Sequence, residues 1–206
     1  MRVSFYAFVG LLAVAPVSAQ QPASARVLIV TAAIDDERVE LVRDAVRFWN
    51  RTFTDLGLSP VLTDAGLLVA PPSLRVFENY SRRIWQRAGR VGDGPYDPEP
   101  PPEILELESD LVVFLSSQPL MPFAWPMSDG NRYFIALADL EASRMDPNNA
   151  HNVVAHELGH AMGLSHAADP TSLMCLPCQP QPARDGYLPL TAADRLRLQA
   201  LYRASP

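Results

Sequence analysis

Apolar residues recur along this chain in two rhythms. "ARVLIVTAAI" (25–34) is β-branched and apolar, which predicts a buried strand. From Asp35 the rhythm changes: Val39, Val42, Val46, Trp49, Phe53 and Leu56 step by three and four, and Gly57 follows as a stop. That spacing predicts an amphipathic helix. "SPVLTDAG" (59–66) reads as a second strand, and 73–87 sets Leu74, Phe77, Ile84 and Trp85 at roughly helical spacing. "GDGPYDPEPPPE" (92–103) reads as a surface loop, because prolines remove donors and fix φ. "DLVVFLSS" (110–117) and "RYFIALADL" (132–140) read as strands. "NNAHNVVAHELGHAMG" (148–163) has helix formers through its middle and a Gly at its end. "TAADRLRLQALY" (191–202) opens with a Thr N-cap, and Leu196, Leu198, Leu201 and Tyr202 offer an apolar side, so it reads as a closing helix. Strands and helices in this order predict a mixed α+β domain.

The first residues follow a different logic. "MRVSFYAFVGLLAVAPVSA" (1–19) has one Arg, an apolar run, and small residues at Val17-Ser18-Ala19 where a cleavage site would fall. This is the layout of a signal peptide, too short for a membrane span. The expectation is an exported chain, secreted or periplasmic, with 20–206 as a single domain and no membrane span in its mature form. Acidic residues outnumber basic ones, 23 to 17, and every basic side chain is Arg with no basic stripe. Nucleic acid is therefore excluded as the expected partner. We expect a monomer acting on a protein or peptide.

Chemistry concentrates at one place. The chain has four histidines, and three of them lie in "HELGHAMGLSH" (156–166). On a helix, His156 and His160 at i and i+4 project from one face, about 5–6 Å apart at Cβ. Two imidazoles so placed suit one Zn²⁺ at about 2.0–2.1 Å each. Glu157 projects beside them, within reach of a water on the metal. Gly163 has the freedom to take φ > 0, end the helix and swing His166 back as a third nitrogen. Three protein ligands leave a fourth position open, the arrangement of a catalytic site. In that chemistry Glu157 acts as general base, taking the proton of the attacking water and delivering it to the leaving amine. The fourth histidine, His151, sits about 500° around the helix from His156 and faces away from the ligand side.

The spacing H-E-x-x-H-x-x-G-x-x-H at His156, Glu157, His160, Gly163 and His166 resembles that of the metzincin zinc metallopeptidases, and within them the matrixins. "SLMC" (172–175) places Met174 eight residues after the third His, at the matrixin-like distance of a Met-turn. "DLVVFLS", "PFAWP" (122–126) and "LTAADRLRLQALY" (190–202) extend the likeness. The resemblance implies a twisted, mixed five-stranded sheet with one antiparallel edge strand, an active-site helix and a C-terminal helix. It also implies a zinc endopeptidase with one catalytic Zn²⁺, and Met174 as an apolar floor under the imidazoles.

The chain departs from the family in several places. Ala167 stands where matrixins usually have Ser. No histidine remains for a second, structural zinc, and no Cys-switch propeptide is present. Leu176 excludes the tyrosine ligand of astacin-like enzymes. Residues 67–109 read as an insertion carrying a helix and the proline loop. Cys175 and Cys178 allow a disulfide, a redox pair or a second metal site; in an exported chain the disulfide is the default. Such a bond would stiffen the loop that, by resemblance, walls the S1′ pocket. A catalytically silent or narrowly targeted zinc-binding module is the alternative function, which the presence of Glu157 argues against.

Overall fold

The computed structural model describes residues 24–59, 61–88, 98–127, 132–139, 150–176, 178 and 186–203. The signal-peptide reading at 1–19, the first half of the proline loop (92–97) and the stretch 179–185 lie outside these residues.

β1 (Ala25–Thr31), α1 (Arg38–Asp55) and β2 (Leu62–Val69) open the fold. α2 (Leu74–Ala88) and α3 (Pro102–Leu105) follow, then β3 (Leu111–Leu115), β4 (Phe123–Pro126) and β5 (Tyr133–Leu137). α4 (Ala150–Ala161) and α5 (Ala192–Tyr202) close it. The sheet has the strand order β2-β1-β3-β5-β4. Its first four strands are parallel, and only β4 runs antiparallel, pairing with β5 at the edge. The expected five-stranded mixed sheet with one antiparallel edge strand is therefore present.

Side chains alternate across the sheet, and both faces are dry. Val27, Ile29, Leu111, Val113, Leu115, Ile135 and Leu137 face α1 and α4, where Val42, Trp49, Phe53, Ala155 and Leu158 complete one core. Val30, Val112, Phe114, Phe134 and Ala136 face the other way, against Phe77, Tyr80 and Ile84 of α2 and Ile104 of α3. A sheet buried on both faces explains why its strands read as continuous apolar runs rather than alternating ones.

Three features differ from the sequence reading. β2 starts later and runs to Val69, so the insertion boundary at 67 falls inside a strand. Trp85, placed on the apolar face of α2 by spacing, is 42% exposed, while Tyr80 is fully buried. The proline run is not all loop: α3 begins at Pro102, with Pro101 as N-cap. Proline suits the first helical turn, whose N–H groups have no partner, and Ile104 docks the turn in the second core.

Polar side chains fix the ends of the strands. Arg38, at the start of α1, donates from Nη1 to the carbonyls of Ser116 (2.8 Å), Leu137 (3.3 Å) and Ala138 (2.8 Å). Its other nitrogens pair with Asp36. Glu78 of α2 accepts from Ser116 Oγ, the Ser117 N–H and hydroxyl, and Gln118 Nε2, at 2.6–2.9 Å. These contacts anchor the 116–118 turn that leads from β3 towards the edge strand. At the C-terminus, the expected cap at Thr191 forms a reciprocal capping box with Asp194.

Candidate active site

α4 carries the first two histidines. Its inner side packs Val154, Ala155, Leu158 and Ala161 into the first core. Trp49 of α1 donates from Nε1 to the Ala155 carbonyl at 3.0 Å, one residue before His156. Gly159 brings the helix close to what lies beneath: a Cβ there would meet Met174 Sδ at 2.6 Å and Trp49 Cζ2 at 3.0 Å. Met174 is fully buried beneath Gly159 of α4.

The helix ends as Gly163 requires. With φ at 86°, Gly163 donates to the His160 carbonyl and Leu164 N–H reaches back to Gly159 O at 3.0 Å. This pair of bonds is a Schellman ending. The reversed chain then runs beside the Met-turn: Ala167 N–H donates to Met174 O at 2.6 Å, and Leu176 N–H to Ala167 O at 3.1 Å. Ala167 has no hydroxyl to offer, so its backbone makes the tie. Cys175 and Cys178 are joined in a disulfide just beyond.

The reversal brings the three imidazoles together. His160 Nε2 lies 3.1 Å from His156 Nε2 and 3.2 Å from His166 Nε2. Two nitrogens binding a tetrahedral ion at about 2.0–2.1 Å stand about 3.3 Å apart, so the spacing fits one Zn²⁺. The opposite ring nitrogens are committed elsewhere. His156 Nδ1–H donates to the Leu173 carbonyl at 2.7 Å and His160 Nδ1–H to the Leu164 carbonyl at 2.9 Å. Those bonds select the tautomer whose Nε2 lone pairs face the common point, the usual support for a ligating histidine.

Burial tunes the site towards neutral imidazoles. It lowers His156 to about 4 against the opposing pull of the Leu173 carbonyl, and the other two rings lower it further. Burial likewise lowers His160 and His166. Glu157 is 8% exposed. Burial pushes its carboxyl up to about 8, while the N–H of Ala124 in β4 bonds to it and pulls the other way. That contact sets the acid between the active helix and the edge strand.

Acidification of the metal-stripped chain tests this burial. A histidine whose folded pKa is depressed binds fewer protons folded than unfolded, so its stability contribution is complete above pH about 6.5 and lost as pH falls towards 4. In the chelated Glu157→Gln variant, which removes the opposing titration of Glu157, we expect urea stability to drop by about 2–3 kcal/mol across that window. A flat profile would contradict the buried imidazoles.

His151 stands apart from the cluster, as its position on the helix requires. Its ring meets Tyr187 edge-on, and Nε2 lies 2.9 Å from the Gly186 carbonyl. Asn152 and Ala124, which support the site, carry no recognisable spacing signal in the sequence, and the spacing of Trp49 marks it as a core residue of α1 without showing its bond to Ala155.

A mixed sheet with an antiparallel edge strand, a helix bearing two histidines, a glycine reversal and a third histidine together form a three-histidine cluster that could hold a metal ion. Residues 116–203 match the model of the Matrixin family of peptidases. The chain is similar in shape to archaemetzincin from Methanopyrus kandleri, at 16% identity and a TM-score of 0.45, over 87% of this chain and 96% of that one. It is also similar to metalloproteinase-II from Bacteroides fragilis, at 15% identity and a TM-score of 0.47. That likeness covers 91% of this chain and 55% of the Bacteroides one. No curated protein matches by sequence.

Proposed function

We propose that this protein is an exported zinc endopeptidase in which His156, His160 and His166 hold one Zn²⁺ and Glu157 is the general base. The observation that carries the reading is the convergence of three imidazoles, with His160 Nε2 3.1 Å from that of His156 and 3.2 Å from that of His166, beside a buried carboxyl. When bound, Zn²⁺ supplies Lewis acidity to a peptide carbonyl and to the attacking water. The chain's own residues do the rest. Leu173 and Leu164 carbonyls orient two of the imidazoles. Glu157 takes a proton from the attacking water on its carboxylate and returns it to the leaving nitrogen. Met174, Trp49 and Leu158 keep water from the underside of the site. Export is read from residues 1–19, and the substrate is a protein or peptide.

Metal analysis joined to a casein or gelatin assay tests this. Mature protein is expected to hold about one Zn²⁺ per chain, lose its activity to a chelator and regain it with Zn²⁺. Two tightly held ions, or none after careful loading, would contradict the single site.

A further inference from the structure

We infer that Asn152 is a positioning residue for His156, acting through a closed ring of hydrogen bonds. The inference rests on the metal site proposed above. Asn152 lies one helical turn before His156 and is 8% exposed. Its Oδ1 accepts the N–H of Leu188 at 2.8 Å. The next residue, Pro189, accepts the N–H of Leu173 on its carbonyl, also at 2.8 Å. Leu173 in turn accepts Nδ1–H of His156 at 2.7 Å. The backbone of α4 from 152 to 156 closes the ring.

Each joint is short, and Leu173 and Leu188 are both buried, so water is poorly placed to replace a lost partner. Without the Asn152 oxygen, the Leu188 N–H stays buried and unsatisfied, a costly state. The 188–189 segment must then move to find a partner, and Leu173 moves with it. The rotation and tautomer of His156 follow, because its Nδ1–H has the Leu173 carbonyl as acceptor. His160 provides an internal contrast: its acceptor, Leu164 O, belongs to the ending of α4 itself. The ring thus governs one ligand of the three.

The test compares full-length wild type with N152L and N152D, using Zn²⁺ alone in chelator competition, then kcat and KM on one peptide at saturating Zn²⁺. N152L, which has no acceptor, is expected to bind Zn²⁺ about 10- to 100-fold more weakly, as for loss of other supports behind a metal ligand. Its kcat should fall more than its KM rises. N152D keeps an oxygen at the Oδ1 position and should stay near wild type. Wild-type zinc affinity in N152L, even with a lowered Tm, would overturn the inference and leave Asn152 a purely structural residue. If N152L does not fold, amide exchange of the wild type decides. Because coupling is reciprocal, Zn²⁺ should slow exchange at Leu173 and Leu188 more than at Val30 and Val112 in the sheet. Equal slowing at all four would overturn the inference. Failure of wild type to bind Zn²⁺ at all would instead remove the metal site itself, before any variant is compared.

Discussion

Replacing Glu157 by glutamine is expected to leave zinc in place and to lower kcat by about two to three orders of magnitude or more. The two side chains have nearly the same shape, so the packing between α4 and β4 survives, and the Ala124 N–H still finds an oxygen. What disappears is a group able to take a proton and give it back. The loss should appear equally in kcat and kcat/KM, the pattern of an interaction made in the transition state. Steady-state kinetics on a fluorogenic peptide, with zinc content measured on the same samples, check both halves. Near wild-type turnover would mean that another group carries the proton.

The second large effect concerns a residue with no side chain. Gly159→Val is expected to destabilise the protein by about 3 kcal/mol or more through overpacking. In an exposed helix, replacing glycine usually helps, by up to about 1 kcal/mol for alanine. Here the new carbon would come within 2.6 Å of Met174 Sδ and 3.0 Å of Trp49, both fully buried. Methionine is pliable, but Met174 has no exposed surface to retreat to, and the Trp49 indole is tied to Ala155. Urea unfolding measures the loss. Combining the change with Met174→Ala should cost less than the two separately, because the second substitution vacates the space that the first requires. Strict additivity would show that the two positions do not press on each other.

The parts of this protein that were legible in its sequence are those governed by period. Val39, Val42, Trp49 and Phe53 define α1 by their spacing, and their burial agrees. The i, i+4 histidines and the glycine three residues later announce the site because helix geometry alone relates them. Other supports answer to tertiary contacts. Asn152 differs from any polar helix residue only because Leu188 comes to lie over it. Ala124 becomes a partner of Glu157 only once β4 has docked beside α4. α2 looked like part of an insertion, yet Phe77, Tyr80 and Ile84 close the sheet's second face. That role depends on which face of β1, β3 and β5 remains open, a property no single segment carries. α3 was hidden by its prolines, which suit a first helical turn as well as a loop.

The glycine reversal also has a kinetic side. His156 and His160 ride on one helix, anchored through α4 to Trp49, and move as a unit. His166 lies past the Schellman ending, exposed, on backbone of its own. On the proposed metal site, the three attachments would therefore be unequal: two nitrogens would sit on one rigid helix and the third on an exposed arm beyond its end. Residues around Gly163 would then bear on how readily the site trades its ion.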